Sequence, residues 1–238
     1  HSTVSRYCTS AAKALAPMTQ VNKFLDIGLE VFLHEYPGLV IVPGKEPGIV
    51  LQGDFKFGAR GFDGFEVEES YHIQIHIPSE FPRSIPDVKE LGGKIPRNGD
   101  FHINPGSDTL CLGSPLRLLR EIAENPSLSG FAKRCLVPYF FAVTRKIRTG
   151  SDFVFGELQH GEKGIVEEEG AYFGVKDRAQ VRLIFELLAI KKRKANKLPC
   201  PCGCGLRLGK CRLHFKVNHC RKLADRKWFR EMRVGIFL

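Results

Sequence analysis

Residues 69–78, ESYHIQIHIP, alternate strictly: Tyr71, Ile73, Ile75 and Ile77 are apolar, while His72, Gln74 and His76 between them are polar. A period of two puts the sets on opposite faces of a pleated strand, so the segment reads as a strand with one face buried. Two further runs precede it, LVIVP at 39–43 and GIVLQGDFKFGA at 48–59, the second carrying Val50, Gln52, Asp54 and Lys56 on one face. Turn residues separate these runs, and such short breaks join antiparallel strands, which predicts a meander. DVKELGGKIP at 87–96 supplies a weaker fourth strand.

Helical periodicity flanks the strands. TQVNKFLDIGLEVFLHEYPG at 19–38 has apolar residues at Phe24, Ile27, Leu29, Val31 and Phe32, with Thr19 as cap and Pro37–Gly38 as terminator. SPLRLLREIAEN and LSGFAKRCLVPYFFAVTRKIR read as two helices separated by Asn125, Pro126 and Gly130, with Pro138 kinking the second or marking its first turn. GELQHGEKGIVEEEGAYFG at 156–174 is rich in glycine and charge and reads as a linker with a short helix. DRAQVRLIFELLAIKKRK follows, with Asp177 as N-cap and Val181, Ile184, Phe185 and Leu188 on its apolar face. Strands grouped together and helices grouped after them predict an α+β fold with a domain boundary near residue 160.

Among 238 residues, 43% are hydrophobic and 26% charged, which is the composition of a chain that packs a core. The longest apolar run, CLVPYFFAV at 135–143, is too short to cross a bilayer. No apolar run of signal-peptide length precedes Pro17, so the expected localisation is cytoplasmic, with no membrane partner. The net charge of +10 is concentrated late in the chain, beginning with KKRKANK at 191–197. Such a tail attracts nucleic acid, an anionic surface or an acidic protein, and is equally a solvated basic face.

Five of the eight cysteines, Cys200, Cys202, Cys204, Cys211 and Cys220, fall within a short C-terminal stretch, whereas Cys8, Cys111 and Cys135 stand alone. Clustering of this kind favours a metal site over a disulfide framework. Cys111 lies where the meander ends and a helix begins, in HINPGSDTLCLGSP at 102–115. A thiol there can be exposed, and an adjacent helix N-terminus favours its thiolate; a lone Cys is also commonly a buried packing residue. No histidine among His72, His76, His102 and His160 stands at a hydrolase spacing from it.

The wider context of Cys111 resembles the ubiquitin-conjugating enzyme (E2) fold family. That family places a Tyr/Phe-Pro-x-x-Pro-Pro segment after its third strand, then His-Pro-Asn, then the cysteine about eight positions on. Here SEFPRSIPDV retains Phe81, Pro82 and Pro86 with Ile85 in place of a proline, His102-Ile103-Asn104 replaces His-Pro-Asn, and Cys111 follows Asn104 by seven. About six extra residues lie between Pro86 and Asn104, including GGK and RNGD, as in a divergent bacterial branch. The resemblance spans roughly residues 19–150. It implies an E2 (UBC-like) fold with an N-terminal helix, a four-stranded antiparallel meander and C-terminal helices. It also implies a transferase that carries a ubiquitin-like protein, or the C-terminus of a cyclic-nucleotide synthase, as a Cys111 thioester and passes it to an amine. Bacterial relatives of this kind occur in antiviral defence operons. Asn104 would stabilise the oxyanion or order its loop, and His102 would shape the loop rather than accept a proton. An E1-like activating enzyme and an acceptor protein are the implied partners. Asp108, Ser114 and the more remote Asp100 are local candidates to assist the amine. A noncatalytic E2-like adaptor is the alternative.

PCPCGCGLRLGKCRLH at 199–214 contains Cys-x-Cys-x8-Cys and resembles the SEC-C zinc motif, with Cys204 in the motif's serine position and Arg212 where the fourth ligand is expected. The implied cofactor is structural zinc on Cys200, Cys202, Cys211 and His214, with His219, Cys220 or Cys204 as alternative fourth ligands. Trp228 and Phe229 beyond it read as a helix packing on the zinc segment, or as a docking element for an acidic partner or, secondarily, nucleic acid. The expected organisation is therefore an N-terminal extension at 1–18, an E2-like domain at 19–160, a linker and helix at 161–198, and a small zinc-binding basic segment at 199–238.

Overall fold

In a computed structural model of the protein, the described residues are 27–153 and 161–237. Helix α1 (Leu29–Glu35) ends ahead of Pro37, and Leu29 and Phe32 form its buried stripe, whereas Val31 is 60% exposed. Thr19 and Phe24, the expected start of this helix, lie outside the described residues.

Strands β1 (Leu39–Val42), β2 (Gly48–Arg60), β3 (Glu66–Pro78) and β4 (Asp87–Glu90) form one antiparallel sheet in sequential order. The alternation in β3 resolves as its period requires. Tyr71, Ile73, Ile75 and Ile77 are buried, and His72, Gln74 and His76 occupy the other face. Across the sheet, Gln74 Nε2 donates to Gln52 Oε1 (3.1 Å) and His72 Nδ1 lies 2.8 Å from Asp54 Oδ1, opposite partners in the β2–β3 register. These histidines belong to a solvated sheet surface.

The buried face packs on helices. Helix α2 (Pro115–Glu124) starts at Ser114, whose Oγ accepts from the Arg117 N–H, with Pro115 at the first helical position, where its missing donor costs nothing. A second helical span comprises α3 (Leu128–Phe131), a π turn (Ala132–Leu136) and α4 (Val137–Thr149). Pro138 cannot donate and its ring crowds the carbonyl four residues back, so the coil widens just ahead of it and Val137 N–H reaches Ala132 O. Gly130 does not separate helices as expected. It lies inside α3, where an added Cβ would meet Asn125 O at 2.3 Å, so its bareness lets the helix seat against the preceding loop. Phe140 stacks on Tyr71 (4.6 Å between ring centres), and Tyr71 Oη is 2.9 Å from Thr144 Oγ1, joining sheet to helix.

The stretch at 156–174, expected as a linker with a short helix, carries a twelve-residue helix in its described part. This helix is α5 (Glu162–Phe173), followed by α6 (Arg178–Leu188), capped by Asp177 as expected, then α7 (Lys192–Ala195), α8 (Leu213–Leu223) and α9 (Arg226–Phe237). Glu169 is fully buried on α5. A carboxylate at a buried position counts as a solvent residue in any hydropathy pattern, and this hid the helix's inward face. Two apolar clusters result, one on the sheet and one among α5–α9. Helix α2 serves both: Leu118 and Ile122 face the first, Leu116 and Leu119 the second. Among the described residues no helix is long and apolar enough to cross a membrane. The protein is thus an α+β fold with a four-stranded antiparallel sheet and several helices.

Candidate thiol site and candidate metal centre

The segment from His102 to Cys111 folds into a small hairpin. Cys111 N–H donates to His102 O (2.7 Å), Asn104 N–H to Thr109 O (2.8 Å), and Ile103 pairs with Leu110. Leu110 N–H also donates to Val88 O (2.8 Å), hanging the hairpin on β4. Asp108 (φ 57°), in the tight reversal, and His102 (φ 53°), at the hairpin's end, both adopt the left-handed conformation, sparsely populated for any residue with a Cβ. The extra residues before the hairpin are mostly exposed but tied down by polar contacts. Buried Glu90 accepts from the N–H groups of Gly93 (3.1 Å) and Lys94 (3.2 Å) through its carboxylate, while Arg97 Nη2 donates to the Glu90 carbonyl (2.6 Å) and the guanidinium lies 3.9 Å from the Glu90 and Asp108 carboxylates.

His102, Asn104 and Cys111, singled out from sequence, line one cleft of about 710 Å³ together with Tyr139, Cys135 and Glu168, which were not. The Cys111 thiol is half-buried. Burial pushes it above the ordinary thiol range and the Glu168 charge adds to this, against the Gly113 N–H and Arg117, which favour the thiolate. The net direction is thus upward, with desolvation its largest cause, and not toward the easier ionisation expected beside a helix start. Asn104 Nδ2 donates to Thr109 Oγ1 (3.0 Å), and the His102 ring meets Phe153 edge-on at 4.6 Å. Cys135 is buried and its thiol is raised to about 12 by desolvation.

Of the local acidic and hydroxyl candidates, Ser114 lines the cleft but its hydroxyl donates to Glu169 (2.6 Å) while accepting from the α2 backbone. Asp108 and Asp100 are exposed and do not line the cleft. Glu168 is the carboxylate that tertiary structure brings there, and nothing in its local pattern, EEE at 167–169, points to Cys111.

The second constellation is the cysteine cluster. The sulfurs of Cys200, Cys202, Cys204 and Cys211 all lie within 4.8 Å of one another. Cys200 Sγ is 3.2 Å from Cys202 Sγ, which is 3.6 Å from Cys211 Sγ. Zinc–thiolate bonds of about 2.3 Å in a tetrahedron require sulfur separations of about 3.8 Å, so this donor set fits Zn²⁺. Gly203 (φ 77°) and Gly205 (φ 76°) provide the left-handed turns that fold Cys-Pro-Cys-Gly-Cys-Gly back on itself. Backbone N–H groups of Cys204 and Leu206 point at the sulfurs of Cys202 and Cys204. The side chain that joins Cys200, Cys202 and Cys211 in this cluster is Cys204; His214 stands outside it, with its Nδ1 2.7 Å from Cys211 O. Cys220 is buried in the second core. His219 is also absent from the donor cluster. Four thiolates would close a tetrahedral ion's coordination, the arrangement of structural zinc sites.

Phe229 is fully buried, with Phe185 6.4 Å away, and Trp228 stands against it at 5.0 Å. Phe229 is a core residue of α9, and Trp228 is partly buried against the second core, in keeping with a packing role.

Comparison with protein-family models, curated proteins and solved structures returns no match to this chain.

Proposed function

We propose that the protein is an E2-like transferase in which Cys111 carries a protein C-terminus as a thioester and hands it to an amine. What supports this reading is the convergence of His102, Asn104 and Cys111, a sequence-motif trio, on one cleft at the end of a four-stranded meander. Loading would proceed by attack of the Cys111 thiolate on the thioester carbonyl of an activated donor, forming a new C–S bond and releasing the activating enzyme's thiol. Transfer would form a C–N bond to the acceptor amine, whose proton passes to solvent as the Cys111 thiolate leaves. The tetrahedral intermediate carries an oxyanion, and a donor such as the Asn104 amide accelerates such a step on the order of 10²-fold when it reaches that oxygen. Zinc on Cys200, Cys202, Cys204 and Cys211 would brace the second core and take no part in the chemistry.

A noncatalytic adaptor is the second reading. It is favoured by the half-buried thiol, held above its usual range, and by the engagement of the Asn104 amide with Thr109.

The test is intact mass of protein co-expressed with the products of its neighbouring genes, wild type against Cys111→Ala, with and without thiol reductant and hydroxylamine. A reductant- and hydroxylamine-labile adduct on wild type alone supports the transferase and its mass names the carried protein. Partner co-purification with no adduct supports the adaptor.

A further inference from the structure

The turn that carries Cys111 is gripped from outside its own core. Glu168 on α5 accepts the Ser114 N–H through Oε2 (2.8 Å) and pairs through Oε1 with Arg117 Nε (2.8 Å). Arg117 in turn donates from Nη2 to Leu112 O (2.6 Å). Its neighbour Glu169 accepts the Ser114 hydroxyl (2.6 Å) and Arg120 Nη1 (2.7 Å), and Arg120 lies over the Tyr172 ring at 3.8 Å. Gly113, at φ 135°, leaves room for this: a Cβ there would stand 2.3 Å from Arg117 Nη2. Two adjacent carboxylates of one helix thus hold a single serine by its N–H and its hydroxyl, and an arginine holds the residue immediately after the thiol.

A scaffold with stability as its sole requirement would fill this space with apolar side chains, because burying two neighbouring carboxylates costs desolvation and mutual repulsion. Directional bonds fix geometry where apolar packing does not. The titratable groups that line the cleft with Cys111 are Glu168 from α5, Arg117 from α2, Cys135 and Arg134 from the π turn, Tyr139 from α4, His102 from the hairpin and Asp87 from β4. Glu168 opposes a thiolate there and Arg117 favours it.

We propose that Glu168 is a positioning residue for Cys111: with Arg117 it clamps the turn bearing the thiol, so that helix α5 of the second core sets how far the nucleophile is exposed and how readily it reacts. The inference rests on the reading of Cys111 as a nucleophile and makes the second core a working part of that site.

The experiment is alkylation of the full chain by iodoacetamide from about pH 6 to 10, bracketing the ordinary thiol range, with the rate at each cysteine read by peptide mass spectrometry. Buried Cys135 serves as the gauge of general loosening. Glu168→Gln keeps an acceptor for the Ser114 N–H but removes the charge opposing the thiolate, so Cys111 should label about threefold or more faster near pH 8, on a profile shifted to lower pH. Cys135 should stay protected, and Glu168→Asp should move the profile back toward wild type. An unchanged Cys111 profile in Glu168→Gln overturns the proposal, as does Cys135 labelling that rises in step with Cys111. Labelling needs no carried protein, so a failed clamp and a failed transferase give different results: the first alters no adduct, the second leaves the labelling profile standing.

Discussion

The backbone N–H of Cys111 donates to the carbonyl of His102 at 2.7 Å, closing a hairpin whose two ends are the His and the Cys of the sequence motif. Nine positions apart in the chain, these residues become neighbours because Asn104 and Thr109 pair between them. Thr109→Val removes the acceptor of the Asn104 amide while keeping the side chain's shape. It should cost about 1 kcal/mol in chemical denaturation, a typical net hydrogen-bond value. In a conjugation assay it should alter transfer to amine more than loading of Cys111. Equal effects on both steps would separate Asn104 from the transfer chemistry.

Metal analysis should find about one zinc per chain, as four thiolates in a closed site require. Cys204→Ser should purify with markedly less, whereas His214→Ala should retain the ion. Chelation should lower the thermal midpoint, because the cluster's own Cys200 and neighbouring Leu208 are buried in the second core. Zinc loss from the His214 variant and not from the Cys204 variant would restore the histidine as ligand.

Gly113→Ala places a Cβ against the Arg117 guanidinium at a positive φ. Strain of this kind costs roughly 1–3 kcal/mol, and the denaturation midpoint should fall accordingly. A variant as stable as wild type would show that Arg117 moves aside freely.

Arg120 and Glu169 form an ion pair of 2.7 Å in which the carboxylate is fully buried. Burial raises the Glu169 carboxyl in spite of Arg120, the desolvation being the larger effect. Arg120→Ala leaves this carboxylate unpaired and should cost about 3–5 kcal/mol. The double variant Arg120→Met with Glu169→Leu should recover most of that loss, which thermal unfolding of the three proteins would show.

Alkaline stability follows from Cys135, whose folded-state thiol is raised by burial from 9.0 to about 12. The folded protein keeps a proton that the unfolded chain releases, so this contribution is fully present below pH 9.0 and is lost as pH rises toward 12. Stability should fall by up to about 1.4 kcal/mol per pH unit in that window. Cys135→Ala should flatten the decline in denaturation curves measured above pH 9.0.

The meander was legible because its signal is local. Strict alternation from Tyr71 to Ile77 fixes a face, and short breaks leave an antiparallel neighbour as the ready partner. The helix start at Asp177 was legible for the same reason, since its side chain acts within three residues of itself, whereas the capping role of Ser114 emerged only from the fold. The cysteine cluster was legible as a metal site through its spacing, but its fourth member was not, since backbone turns at Gly203 and Gly205 decide which side chains converge.

The amino-acid sequence by itself determined the strand order, the Asp177 cap and the motif around Cys111, all set by interactions between residues close in the chain. Tertiary structure alone decided that Glu168 and Glu169 reach the turn after Cys111, some 55 positions earlier, and that burial raises the thiol instead of a helix start lowering it. A carboxylate's pattern in sequence is the same whether water or an arginine satisfies it, and only the packing of α5 on α2 determines which does.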